Sequence, residues 1–281
     1  MIEKRTFGGI VADIIIWIIV GALALSCLMP LMNIVAISLS DNAAVSANLV
    51  NIFPIGFNIS SYQEIMGDKQ FWRSFGISVL RVVLGLSVNI TLLVLTAYPL
   101  SKSPKFFTGQ KVYMSLILFA MLFSGGLIPT FLTVKSLGLY NNPWVMVILG
   151  ATSMTNIIIS RTFFETNIPN ELREAAEIDG CSNTRFFFSI VLPILQPTLI
   201  STGILQAMWI WNDYLLPYLT LDLSKYKTIS VAVQYLKGGY GSVDMGAMMA
   251  CLVMAIIPII IFYLICQKYI VKGVMAGAVK G

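Results

Sequence analysis

In the stretch EAAEIDGCSNTRFFFSIVLP, from Glu174 to Pro193, acidic residues are grouped in a chain that is otherwise oily. With Glu171 just before them, Glu174 and Asp179 are the side chains most able to do chemistry. Bond-making would need a nucleophile with a base, or a metal set. The chain contains no His, which removes the commonest general base and metal ligand. Cys27, Cys181, Cys251 and Cys266 form no CxxC pair, so neither a zinc site nor a disulfide framework is indicated. Three of the four lie in apolar runs and read as small buried hydrophobes. No GxxxxGK[ST] phosphate loop occurs either. What remains for the acidic group is contact rather than catalysis.

The local physics fits a short projecting helix. In IPNELREAAEIDG, Asn170 after Pro169 is expected to cap a helix beginning at Glu171. Glu171 and Glu174 sit near its N-terminal end, where the helix dipole favours negative charge. Leu172, Ala175, Ala176 and Ile178 give a small apolar surface at helical spacing. Gly180 supplies a left-handed stop. Beyond it, Phe186, Phe187, Ile190 and Leu192 start a second short helix, which Pro193 and Pro197 are expected to turn into the next span. On these residues alone, the segment is either an amphipathic helix lying on a bilayer or a knob held out for a partner.

The elements that position it are membrane elements. The chain has 281 residues, 57% of them hydrophobic and only 11% charged, with a mean hydropathy of +0.84. Soluble domains carry about a quarter charged residues. Six runs approach the roughly 20 apolar residues that cross a bilayer as helix: residues 14–39, 75–100, 112–134, 144–164, 199–219 and 245–265. Lipid offers backbone groups no partners, so each run is expected to be helical, and the fold class is all-α transmembrane. The first run follows Lys4 and Arg5 and is longer than a signal-peptide core, so it is expected to be a retained span. With the N-terminus inside, Lys102, Lys105, Lys111, Arg161, Arg173, Arg185 and Lys268 are also inside. Fewer basic residues lie outside, and that bias places both termini in the cytoplasm. The net charge of +5 is thus a matter of topology, and nucleic acid is not an expected partner. The excursion from Asp41 to Gln70 is then external, and residues 165–197 form the longest cytoplasmic segment.

The residues EAA, then IDG, then LP at this spacing (Glu174, Ala175, Ala176, Asp179, Gly180, Ile190, Leu192 and Pro193) resemble the signature of binding-protein-dependent ABC importer permeases. That family usually has Ala after the Gly, where this chain has Cys181. WNDYLLPYL at Trp211–Leu219 and the tail QKYIVKGVMAGAVKG at Gln267–Gly281 are similar to carbohydrate-importer permeases of the MalG-like type. SGGLIPTFLTVKSLGLYNNPW at Ser124–Trp144 resembles the branch that handles polysaccharide-derived oligosaccharides.

The resemblance implies a six-helix, type I importer-like bundle in a single domain spanning residues 1–281, with residues 165–197 as a cytoplasmic coupling loop. Glu171, Leu172, Glu174, Ala175, Ala176, Ile178, Asp179 and Gly180 would then contact an ATPase. It implies a bacterial inner membrane, a second homologous permease subunit, two ATP-binding subunits and an extracytoplasmic solute-binding protein. ATP and Mg would be bound by partner subunits and no cofactor by this chain. Lys237, Gly238, Gly239, Tyr240, Gly241 and Ser242 would form a loop reaching into the binding protein; by composition alone they form a flexible turn.

Trp209, Trp211 and Tyr214 form an aromatic belt at the membrane surface, or stack on sugar faces. With Asn212 and Asp213, Trp209 and Tyr214 are candidates for a substrate path. Arg81 and Asp213 are charges inside spans, which pair, face a cavity or snorkel separately. Pro99, Pro129, Pro193, Pro217 and Pro258 lie in or beside spans, as hinges or as static kinks. An amino-acid permease of the same class is the nearest alternative. A secondary transporter would show inverted repeats and buried ion ligands, and neither is visible.

Overall fold

The computed structural model describes residues 7–102, 107–237 and 244–278, and among them every regular element is helical. In chain order these are α1 (Phe7–Ser38), α2 (Asn42–Ser46), α3 (Ser60–Gly67), α4 (Lys69–Leu100), α5 (Gln110–Leu122), α6 (Leu127–Ser136), α7 (Val145–Ile148) and α8 (Met154–Asn167). Then follow α9 (Asn170–Ile178), α10 (Asn183–Phe186), a π-helical turn (Phe187–Val191), α11 (Leu192–Asn212), α12 (Leu215–Thr220), α13 (Leu223–Tyr226), α14 (Ile229–Lys237) and α15 (Met245–Ala278). Contacts divide the chain into two units: residues up to Trp72 with Val233–Ile257, and Arg73–Ala232 with residues from Pro258 onward.

In the first unit α1 is apolar all round, and none of its membrane-length stretch is buried. Cys27, expected to be buried, is exposed there, since a helix facing lipid has no need to hide a small apolar side chain. The end of α1 is tied to the segment that follows it. Ser38 Oγ and Tyr62 Oη lie 2.8 Å apart, Asn33 Nδ2 donates to the Asn51 carbonyl at 2.7 Å, and the Ile55 amide donates to Ser40 Oγ at 3.0 Å.

The second unit holds the acidic segment 170–180 and the aromatic residues 209–214. Its centre is the packing of α4 on α11, made close by small residues as membrane helices prefer. A Cβ on Gly85 would lie 3.0 Å from Ile210 Cδ1, and one on Gly203 would lie 3.3 Å from Ile90 Cδ1.

Three of the expected continuous spans are interrupted here. Residues 112–134 form two helices, α5 and α6, bent by 120°; Gly126 at φ +83 makes the corner in a conformation that L side chains rarely adopt. Residues 144–164 break between α7 and α8. The carbonyls freed at that break are satisfied by buried amides: Gln206 Nε2 donates to Gly150 at 3.0 Å and Asn89 Nδ2 to Ala151 at 2.9 Å, as irregular backbone at membrane depth requires. Residues 199–219 break at Asp213 between α11 and α12.

The expected turn at Pro193 is absent. A helical path runs from Asn183 to Asn212. Pro193 is the second residue of α11, inside that path and directly after the π-turn, so its missing N–H must be accommodated there. A proline ring also crowds the carbonyl four residues earlier, here Ser189, and the π-turn at Phe187–Val191 falls where that carbonyl must be accommodated.

Candidate coupling helix and substrate surface

Helix α9 begins at Asn170, one residue earlier than expected, with Pro169 in the capping position and no side-chain cap. Proline has preset φ and extended ψ (−64° and 156°), so the chain enters the helix without a cap from Asn170. The C-terminus follows the expected pattern. Gly180 has φ +72, its amide donates to Glu177 O at 3.0 Å, and the Cys181 amide donates to Ala176 O at 2.9 Å. This pair of bonds is the Schellman closure.

The helix divides its side chains between two faces. Leu172 and Ala176, one turn apart, face inward; Ala176 is buried among Phe164, Ile168, Phe186 and Val191, and Leu172 packs against the same cluster. Glu171, Glu174, Ala175 and Ile178 recur at i, i+3, i+4 and i+7, the spacing of one helical stripe, and all four are exposed. Ile178 is 86% exposed. The apolar surface expected from Leu172, Ala175, Ala176 and Ile178 is therefore split: two residues hold the helix to the protein and two are presented outward, as are Asp179 and Gly180. An acidic stripe ending in a bare isoleucine can fill a partner groove with a basic rim.

The inward face reaches several helices at once. The cluster under α9 includes Leu93, Ala97 and Leu100 of α4, Ile117 of α5, Ile157 of α8 and Leu195 of α11. The end of α4 is capped by side chains: Gln110 Nε2 donates to the carbonyls of Leu100 (2.9 Å) and Lys102 (2.7 Å), and Arg161 Nε donates to Leu100 (2.9 Å). Arg173 of α9 donates to Glu177 through Nε at 2.9 Å. Lys102 is buried with its Nζ 4.7 Å from the Tyr98 ring centroid. Burial pushes its pKa down from the ordinary lysine range, and the nearby Arg173 guanidinium adds to the shift.

At the other end of α11, two cavities share Trp209. One, of about 380 Å³, is lined by Thr152, Ser153 and Asn156 at the start of α8 and by Gln206 and Trp209 of α11. The second, of about 410 Å³, is lined by Trp209, Asn212, Asp213 and Tyr214. Trp209 is 52% exposed and Tyr214 42%. Aromatic faces beside amides and hydroxyls are the groups that suit a neutral sugar. The structure brings together all four residues expected on a substrate path and adds Thr152, Ser153, Asn156 and Gln206. A signal for Gln206 was present, since it is polar within an apolar run and three residues before Trp209. Trp211 is directed elsewhere, packing edge-on against Phe75 at 5.9 Å.

Asp213 has a second occupation. Its carboxylate forms an ion pair with Arg81, and Arg81 Nη1 donates to the carbonyls of Ile210 (3.2 Å) and Asp213 (3.0 Å). The Leu216 amide donates to Asp213 Oδ1 at 3.3 Å. One buried guanidinium thus closes the C-terminus of α11, where the helix dipole favours a cation, while Asp213 starts α12. The expected loop from Gly238 to Ser242 lies outside the described residues; Lys237 ends α14.

Comparison with known proteins matches residues 97–276 to the family described as "Binding-protein-dependent transport system inner membrane component". The polygalacturonan/rhamnogalacturonan transport system permease protein YtcP of Bacillus subtilis (strain 168) is 35% identical over 96% of this chain and 98% of its own length. The multiple sugar-binding transport system permease protein MsmG of Streptococcus mutans is 31% identical over 81% of this chain and 83% of its own. A chain from the crystal structure of a bacterial ABC transporter involved in the import of the acidic polysaccharide alginate superimposes with a TM-score of 0.87 at 28% identity. It covers 95% of this chain and 99% of that one.

Proposed function

The chain belongs to the family of binding-protein-dependent transport system inner membrane components, and on that premise we propose how force and sugar pass through it. It is a multi-pass permease subunit of an ABC importer for oligosaccharides. ATP is hydrolysed on two partner subunits, a second permease completes the pathway, and an external binding protein delivers the sugar. Both termini and α9 face the cytoplasm. The outward stripe Glu171, Glu174, Ala175 and Ile178 seats in a cleft of an ATPase, and closure of the ATPases displaces α9. Leu172 and Ala176 pass that displacement to the helices beneath them.

What supports this reading most is the continuity between the two ends of α11. Its inner end carries Leu195, which packs in the cluster under α9. Its outer part carries Gln206, Trp209 and Asn212, about 16–26 Å along the axis at 1.5 Å per residue. A push at the coupling helix is therefore delivered, through one rigid element, to the surface made by Trp209, Asn212, Asp213, Tyr214, Thr152, Ser153, Asn156 and Gln206. The segment Lys237–Ser242, which follows from the end of α14, is proposed, from the resemblance, to meet the binding protein.

The test uses the assembled importer. Ile178→Asp, which removes no inward contact, should leave assembly intact and lower ATPase stimulation by the loaded binding protein at least tenfold. Trp209→Ala should instead leave ATPase stimulation in place and weaken sugar uptake. Stimulation that survives Ile178→Asp would refute the docking role of this stripe.

A further inference from the structure

A third cavity, lined by α4 residues 73–84, by residues 143–147 and by Lys225 and Tyr226, has a different chemistry. It measures about 420 Å³ and its lining is mostly apolar, yet three cations face it (Arg73, Arg81 and Lys225) and no acidic residue does. The other polar-tipped side chains on its wall are Trp144 and Tyr226. Arg73 and Lys225 are exposed at its mouth, and Trp144 is 56% exposed. Arg81 is 3% exposed, and its Nε is buried with no hydrogen-bond partner, although both Nη atoms are engaged. Asp222, near Lys225, does not line the cavity; its carboxylate accepts bonds from the Ser224 amide and hydroxyl.

The arrangement along α4 is graded. Arg73, Ile77, Leu80, Arg81 and Leu84 share one helical face, with a cation at the outer end and leucines further in. Arg73 to Leu84 is about 16 Å of helix, close to half of a bilayer's roughly 30 Å hydrocarbon core. Trp and Tyr at the level of the cations mark the headgroup zone. We propose that this cavity is a seat for an anionic phospholipid, its phosphate between Arg73 and Lys225 and one acyl chain laid over Leu80 and Leu84. A glycerol ester carbonyl is an acceptor of the kind that Arg81 Nε lacks. An acidic saccharide meets the charge equally well. Its many hydroxyls, however, would find, beyond the cations that its carboxylates occupy, just the Tyr226 hydroxyl and the indole of Trp144 on a wall of Ile, Leu, Met, Val and Pro, and buried hydroxyls without partners oppose binding.

The experiment measures phosphatidylglycerol retained by the complete importer after exchange into phosphatidylcholine nanodiscs, by native mass spectrometry. The wild-type complex should keep phosphatidylglycerol. Each mouth cation contributes about fivefold to attraction of an anionic headgroup, so R73Q/K225Q should retain at least tenfold less. The charge-keeping variant R73K/K225R should retain it, which separates lost charge from lost folding. K135Q, a cation on α6 outside the cavity, should change nothing. Equal loss with K135Q would mean diffuse surface attraction and would overturn the proposal. So would a wild-type complex with no preference for phosphatidylglycerol, or one that holds trigalacturonate at these two cations instead. None of these outcomes depends on whether Ile178 couples the ATPases.

Discussion

The two ends of α11 are held by opposite means. At the outer end a buried guanidinium binds a carboxylate and two backbone carbonyls within one turn. At the inner end α9 is attached through Leu172 and a single Ala methyl set among aromatic rings. Charge pairing at membrane depth has one satisfactory geometry, because leaving either partner alone is severely penalised. Apolar contact through small side chains has many nearly equivalent geometries, because dispersion is weak per atom and non-directional. The difference teaches where such a helix can move: the outer junction is a fixed point and the inner end is a sliding contact. On the proposed function, a force applied at α9 would swing the inner end of α11 and re-angle the surface beside Asp213, rather than carry the whole helix along.

The largest effect should come from destroying the fixed point. Arg81→Met leaves the partly buried Asp213 without its counter-ion and two carbonyls uncapped, and loss of one partner of a buried pair costs up to about 3–5 kcal/mol. The variant should be recovered in low yield with a collapsed thermal midpoint. The swapped pair R81D/D213R restores the opposite charges but not the donations to Ile210 and Asp213 carbonyls, nor the cap on Leu216. Partial recovery of yield is expected. Full recovery would show that the charge pair alone secures this end, and no recovery that the backbone bonds dominate.

The outer junction also shows how much could be read in advance. Arg81 and Asp213 stand out because charges are scarce in apolar runs, and their pairing was one of the three options open to them. That Asp213 also ends one helix and starts another was not legible, since WNDYLL carries no Gly or Pro before the break. The breaks at 123–126 and 149–153 were missed for a related reason. Hydropathy reports how apolar a run is and not whether its backbone is continuous, and the compensating amides, Asn89 and Gln206, come from distant helices. Helix α9 was legible in its parts: Gly180 sits where a left-handed residue is required. Which apolar residues face in was not, because Leu172, Ala175, Ala176 and Ile178 span both faces and only the partners of Ala176 decide. Pro193 misled by composition, since the π-turn before it lets an interior proline continue the helical path that composition alone would end.

A smaller effect is expected at the sliding end. Gly180 has φ +72, and an added Cβ would meet nothing within 4 Å, so only backbone strain opposes a side chain. Gly180→Ala should cost about 1–2 kcal/mol, far less than Arg81→Met, while slackening the closure that holds Asp179 and Ile178 in register. Coupling of ATPase activity to the loaded binding protein should fall more than stability does. Gly180→Asn should recover most of both, since Asn adopts the left-handed region more readily. If Gly180→Asn behaves like Ala, space rather than φ governs the position, contrary to the open surroundings.

The smallest effect tests whether the inner end is free of charge locking. Lys102 is the one buried cation described there, next to the cluster and within the influence of Arg173. Its folded pKa is lowered, so the folded state binds its proton less tightly than the unfolded state does. Below the lowered folded pKa the charged amine is a penalty on folding. As pH rises from there toward the ordinary lysine range, the unfolded state holds more protons and stability increases. The Tyr98 ring returns about 0.5–1 kcal/mol by cation–π attraction, but the direction of the shift means that burial and Arg173 prevail. Lys102→Met should therefore raise the thermal midpoint slightly at neutral pH and abolish the alkaline rise expected of the wild type. A fall in the midpoint would mean that the cation–π contact fastens the end of α4 as Arg81 fastens the end of α11. Both ends would then be locked by charge, and α11 would have no sliding end to swing about Asp213.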